Sequence, residues 1–328
     1  MIGFLTALKK NKQSIEYLNR SQIIYILLTG LYLLVNGIFY TRSYHEIHTL
    51  WTTAGDQDFG YLLFAISFFY GLTKTRHIAT AKANLWFLPA LLLLSITQYI
   101  GQIFDIKTFR LLVIIIGWPI FLGFILGKEY FYRLLLPTML VIMAFPVWYL
   151  LIPLLQILTV KAVTICLSLI NIPIFIQTYF IYIPNGIIHI AEGCSGLKYF
   201  QSAIAISIIM NFLHQNNWRK IIILGLCSAV LAIIANWIRV LILVLVGHYS
   251  GIDHPLMTDH DNLGWVIFAT ATLLPLFFID RKLSAENYSE KQQANKALSA
   301  DRVNPLAIII ACLCIALPAL SIIKIPSI

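Results

Sequence analysis

The stretch IIILGLCSAVLAIIANWIRVLILVLVG, residues 221–247, runs for 27 residues with a single charged side chain, Arg239. As a helix rising 1.5 Å per residue it reaches about 40 Å, more than the ~30 Å hydrocarbon core of a bilayer. Nothing in it alternates with period two, and it is too long for a strand. It is read as a transmembrane helix, and the rest of the chain agrees. Of 328 residues, 59% are hydrophobic and 11% charged, and the mean hydropathy is +0.83, well outside the range of water-soluble domains.

The net charge of +9 then belongs to cytoplasmic loops, since no basic run interleaved with aromatics suggests a nucleic-acid surface. Cys166, Cys227, Cys312 and Cys314 lie inside apolar segments and read as small hydrophobes, with no disulfide framework or CxxC site. Residues 1–20 are basic, but the apolar segment after them is long enough to span and lacks a small-residue cleavage site, so it reads as a retained first helix.

Expected crossings are 21–40, 59–73, 85–102, 111–127, 134–150, 197–213, 221–246, 264–279 and 305–323. A further apolar run, LIPLLQILTVKAVTICLSLI at 151–170, carries Lys161 at its middle and follows Pro146 and Pro153. If it does not cross, 16 of the 23 basic residues fall on the cytoplasmic side; if it does, the seven from Arg219 onward move outside and the bias nearly disappears. The chain is therefore read as an all-α polytopic integral membrane protein with about eight core transmembrane helices, one extra C-terminal helix, and a re-entrant or interfacial helix on the outer side. Its organisation is a main body over 1–280, a polar cytoplasmic linker over 281–302 and an additional helix over 303–328, with the N-terminus inside.

Outside, TYFIYIPNGIIHIAEG (178–193) places Asn185-Gly186 between β-branched and aromatic residues, which predicts a small hairpin with a type I′ turn at that dipeptide. The hairpin delivers the chain to Glu192, Gly193 and Cys194, just before a helix expected to start near Ser195. Two readings of Cys194 stay open here: a packed small residue, or a nucleophile whose thiolate is favoured by the helix N-terminus and by Lys198. Arg239 lies roughly 27 Å up its helix, toward the outer end, and Asn236 shares its face. Arginine so deep in a span calls for a partner or a function, although snorkelling to lipid phosphate is an alternative.

The loop GHYSGIDHPLMTDHDNLGW (247–265) brings His248, His254 and His260 with Asp253, Asp259 and Asp261 to the same side. A metal site is one reading, but neither HExxH nor a paired His-x3-His spacing appears. In the other reading one histidine is a general acid or base for Cys194. His260, anchored four residues before Gly264-Trp265, is the best placed, and His248 and His254 read as loop residues.

These motifs resemble the exosortase family of bacterial membrane transpeptidase-like enzymes. The residues that carry the resemblance are FPVWYLLIPLLQ (145–156), IPNGIIHIAEGCSGLKYF (183–200), ANWIRVLILVLVGHYSG (235–251) and DHDNLGW (259–265). Cys194 stands in a Glu-x-Cys-Ser-Gly context, Arg239 in Asn-x-x-Arg, and His260 precedes Gly-Trp by three residues. The resemblance implies a bacterial inner-membrane cysteine peptidase or transpeptidase with its active site on the periplasmic face and no cofactor. Its partners would be membrane lipids and the C-terminal sorting signal of exported proteins, a Pro-Glu-Pro motif followed by a transmembrane helix and a basic cluster. It implies Cys194 as nucleophile forming a thioester, Arg239 and His260 as its catalytic partners, and Asn236, Glu192 and Ser195 in supporting positions. A lipid, a polysaccharide or water would take the acyl group, and many relatives are linked to exopolysaccharide production. A rival reading is a transporter or polysaccharide-assembly component that binds a phosphate-bearing lipid or sugar.

Overall fold

The computed structural model describes residues 20–53, 57, 59–75, 83–214, 218–258 and 261–285. His260, the linker beyond residue 285 and the expected helix at 303–328 lie outside the described residues. The described chain is a helical membrane protein divided into two compact units, the first ending at Ile142 and the second beginning at Met143.

Among the described residues the first unit holds six α-helices: α1 (Arg20–Phe39), α2 (Thr41–Thr52), α3 (Gly60–Lys74), α4 (Leu88–Ile103), α5 (Lys107–Leu126) and α6 (Lys128–Ile142). Beyond its first turn helix α5 is apolar on all sides, and it packs on α1, α2, α4 and α6, as expected of a helix buried within a bundle. Around it Tyr25, Tyr32, Trp118, Phe121, Phe124 and Tyr130 fill the core. The polar atoms of Tyr25, Tyr32 and Trp118 find partners inside the protein: the Tyr25 hydroxyl donates to the Phe68 carbonyl at 3.3 Å, the Tyr32 hydroxyl to the Ile114 carbonyl at 2.6 Å, and Trp118 Nε1 to Thr29 Oγ1 at 3.2 Å. That is what a water-poor surrounding demands.

Residues 41–52, which lie between the first two expected crossings, form the amphipathic helix α2. Ser43, Ile47 and Trp51 recur every four residues on its buried face. On the flank of that face Glu46 accepts a 2.7 Å ion-paired hydrogen bond from Arg110, which is itself buried and also pairs with Asp105 in the α4–α5 turn. Arg42 completes the cluster, 3.2 Å from Glu46 and 3.0 Å from Asp105.

The second unit runs from a 3₁₀ turn (Pro146–Leu151) into α7 (Ile152–Leu169), then strands β1 (Phe175–Gln177), β2 (Phe180–Ile183) and β3 (Gly186–His189). After a 3₁₀ turn at Glu192–Cys194 come α8 (Leu197–His214), the long α9 (Trp218–Ser250), short α10 (Pro255–Thr258) and α11 (Asp261–Phe268). A π-turn (Ala269–Leu273) connects α11 to α12 (Leu274–Ala285), whose last five residues occupy the start of the expected linker. Helix α9, with 33 residues, is the spine of this unit and touches α7, α8, α11, α12 and β3.

The sheet is an antiparallel meander, β1-β2-β3, so the hairpin expected from the sequence is present with one more strand than foreseen. Its turn is displaced by one residue. Ile183 pairs with Gly186, which leaves Pro184-Asn185 as the two turn residues. Proline's fixed φ suits the first central position, and Asn185 keeps a negative φ, which a type I′ turn would not allow. Inward-facing Ile181, Ile183, Ile188 and Ile190 pack on Val160, Val163, Val240 and Val244 of α7 and α9.

By length and composition six described helical stretches are able to cross a bilayer: Arg20–Phe39, Leu85–Ile103, Lys107–Leu126, Pro146–Leu169, Trp218–Ser250 and Asn262–Leu283. The crossing expected at 134–150 is instead split, because α6 stops at Ile142 and Pro146 begins a separate 3₁₀ turn. Helices α3 and α6 have 15 residues each. At 1.5 Å per residue they reach about 22 Å, short of a ~30 Å core.

Candidate active site

The site is assembled where the sheet hands the chain to α8. Ile190 is clamped from both sides: its N–H donates to Tyr179 O at 2.8 Å, and its carbonyl accepts from Gln156 Nε2 of α7 at 2.8 Å. The chain then winds one 3₁₀ turn, with Cys194 N–H on Ala191 O at 2.9 Å and Ser195 N–H on Glu192 O at 3.0 Å. Buried Ser195 accepts the Leu197 N–H on its Oγ at 3.3 Å and so satisfies one donor at the start of α8. The helix begins at Leu197, two residues later than expected, because Gly196 adopts φ +91°. Cys194 therefore stands three residues ahead of the first helical residue, still beside the N-terminus.

Cys194 is half-buried against the isoleucine and valine cluster under the sheet, and it is a thiol rather than part of a disulfide. Asn236 of α9 reaches across to it. Its Nδ2 donates to the Cys194 carbonyl at 3.0 Å and lies 3.3 Å from Thr159 Oγ1 of α7. Asn236 is 1% exposed. A Cβ on Gly196 would lie 2.6 Å from Asn236 Cγ, so this glycine is required both by its backbone angle and by the amide pressed against it.

One turn along the same face of α9, Arg239 is 4% exposed, with its guanidinium 5.4 Å from the centre of the Tyr199 ring. Tyr199 stacks on Phe268 at 5.3 Å and meets the edge of Trp265 at 6.0 Å. A Cβ on Gly264 would overlap the Tyr199 hydroxyl and lie 3.0 Å from Arg239 Nε. The Gly264-Trp265 pair thus seats α11 directly on Tyr199 and Arg239. His260 itself lies outside the described residues, four positions ahead of that contact.

Of the other residues singled out from the sequence, Glu192 is exposed and contributes its carbonyl to the turn. His248 is not a loop residue: it occupies the last turn of α9, and its carbonyl accepts from the Asn185 side chain at the hairpin tip. His254 Nδ1 accepts the Leu256 N–H at 3.2 Å and caps α10. Among the described residues no group of three or more His, Cys, Asp or Glu side chains gathers.

Three contributors were not foreseen: Gln156, Thr159 and Tyr199. The signal for the first two was available, since Gln156 and Thr159 are three residues apart on a largely apolar helix and polar groups there need protein partners. Tyr199 gave no such signal, being an aromatic residue at an ordinary helical position.

No curated protein and no solved structure matches the chain. Residues 51–277 match the family model described as transmembrane exosortase, a span that includes all three motifs and well over half of the sequence, and the chain belongs to that family.

Proposed function

We propose that the chain is a membrane-embedded cysteine peptidase or transpeptidase that cleaves exported proteins within a C-terminal Pro-Glu-Pro-type signal ahead of a transmembrane helix. The observation that carries this reading is the bond from Asn236 to the Cys194 carbonyl. Through it the Asn-x-x-Arg motif on α9 holds the Glu-x-Cys-Ser-Gly turn in place, while Arg239, one turn on, contacts the helix that follows His260.

The Cys194 thiolate attacks the scissile carbonyl, and the positive end of α8 favours that anionic form. Arg239 stabilises the oxyanion of the tetrahedral intermediate, an interaction whose loss commonly costs about 10²–10³ in rate. Collapse breaks the C–N bond, His260 gives its proton to the departing amine, and the tail helix leaves. The thioester is then resolved by water or by a lipid or polysaccharide acceptor whose proton His260 removes. The reading places Cys194 on the periplasmic face of the inner membrane, with 152–169 re-entrant on that side, and links the product to exopolysaccharide or surface attachment.

The test is trapping. Incubation with a tagged tail protein is expected to leave a tag-bearing mass adduct on Cys194 and to release the tail, and Cys194→Ser is expected to abolish both. Release of the tail at the wild-type rate by Cys194→Ser overturns the proposal.

A further inference from the structure

We propose that the outward face of the β1-β2-β3 meander is a lipid-docking surface that rests in the headgroup boundary of the bilayer and fixes the depth of the Cys194 turn. Antiparallel sheets with one solvated face ordinarily alternate apolar-in with polar-out. This one alternates only in part. Residues 171–191 contain no Asp, Glu, Lys or Arg, and the outward positions set Phe175, Phe180 and Ile187, which are 64%, 38% and 56% exposed, beside Gln177, Tyr182 and His189.

These side chains form a continuous layer. Phe175 packs on Tyr182 at 5.4 Å, and Phe180 stacks on His189 at 4.4 Å. The inner face is already filled by isoleucines, so the outer layer is surplus to the unit's own core.

What covers it follows from its neighbours. Helix α7 is long and apolar enough to span, and Leu154, Ile157, Ile165 and Leu169 are exposed along it. That aliphatic surface leads through exposed Ile170 into Phe175, with only four residues between. At the other edge of the sheet, the hairpin tip is tied to the end of α9, where Tyr249 is 75% exposed. Aromatic rings at the ends of lipid-facing helices mark the bilayer interface. The lack of charge favours this occupant over an anionic or polybasic partner, which would need complementary charges here. Ile190 and the Cys194 turn follow β3 directly, so the depth of the sheet sets the depth of the thiol.

The test uses the full chain in phosphatidylethanolamine–phosphatidylglycerol vesicles, with p-benzoylphenylalanine in place of Phe175, Phe180 or Ile187, and in place of Ile165 on α7 as the lipid-facing control. Irradiation is expected to add the mass of one phospholipid at all four positions, with yields that high salt does not lower. Loss of the lipid adduct at the three sheet positions while Ile165 retains it overturns the proposal. So does replacement of that adduct by a cross-link to a co-reconstituted tail protein, which would make the face a peptide-binding surface. The readout involves no catalysis, so its outcome is separable from that of the Cys194 trapping experiment.

Discussion

Asn236 holds the carbonyl of Cys194 at 3.0 Å, and a Cβ on Gly196 would lie 2.6 Å from its amide carbon, so one buried side chain ties the turn that carries the thiol and leaves room only for glycine two residues on. Removing the amide leaves the Cys194 carbonyl without this donor, and a lost buried partner costs about 1–3 kcal/mol. Asn236→Ala is therefore expected to lower kcat/KM for tail release by about 10–100-fold, because small misplacements of reacting groups cost rates of this order. The rate of Cys194 alkylation by a small maleimide should change as well. An Asn236→Ala enzyme with wild-type rates in both assays would remove Asn236 from the site.

The two glycines near Cys194 have different physical roles, and substitution separates them. Gly196 has φ +91° and a neighbour at 2.6 Å, whereas a Cβ at Gly193 meets nothing within 4 Å. Gly196→Ala is expected to destabilise the second unit by at least about 1–2 kcal/mol, the cost of a left-handed alanine before any clash. Gly193→Ala should leave the unfolding temperature unchanged and act, if at all, through KM. Thermal unfolding in detergent alongside tail-release kinetics distinguishes the two.

Gly264 offers a rescue experiment. Gly264→Ala drives a methyl into the Tyr199 hydroxyl and is expected to cost about 1–3 kcal/mol by overpacking, together with most of the activity as Arg239 is displaced. Tyr199→Phe removes the obstructing oxygen while keeping the ring under the Arg239 guanidinium. The double variant should recover stability and rate relative to Gly264→Ala alone. If Tyr199→Phe makes the single variant worse, the contact is not what makes glycine necessary.

The parts of this arrangement legible in the sequence were those with a local cost: an arginine deep in an apolar run, a cysteine ahead of a helix start, and a glycine before a tryptophan at a helix end. Other features depended on competition between signals. Asn-Gly is a strong turn dipeptide, yet Pro184 set the turn one residue earlier, since its φ is fixed whatever follows. Helix α2 escaped notice because its short apolar stripe is diluted by histidines, threonines and ion-pairing residues whose partners come from far along the chain, Asp105 in the α4–α5 turn and Arg110 at the start of α5. Tyr199 could not have been singled out, because its role exists only once α8, α9 and α11 converge.

That ion-pair cluster gives the first unit a pH signature. Asp105 lies in the turn between α4 and α5, and the Arg110 guanidinium, then Arg42, hold its carboxyl below the usual carboxylate range. A carboxyl whose folded pKa lies below its unfolded value binds protons more readily when unfolded. Its contribution is therefore present above the unfolded pKa of about 3.9 and is lost as pH falls through the lower folded value. Unfolding temperatures measured in detergent from about pH 6 to about pH 3 should fall at the acid end, and Asp105→Asn should flatten that part of the profile. Because Asp105 is largely solvent-exposed the change will be small, whereas Arg110→Met should be more damaging, since it removes the buried and closer of the two arginines paired with Glu46, whose Oε2 is buried. An acid limb identical in wild type and Asp105→Asn would show that the cluster does not couple the α4–α5 turn to the stability of the unit.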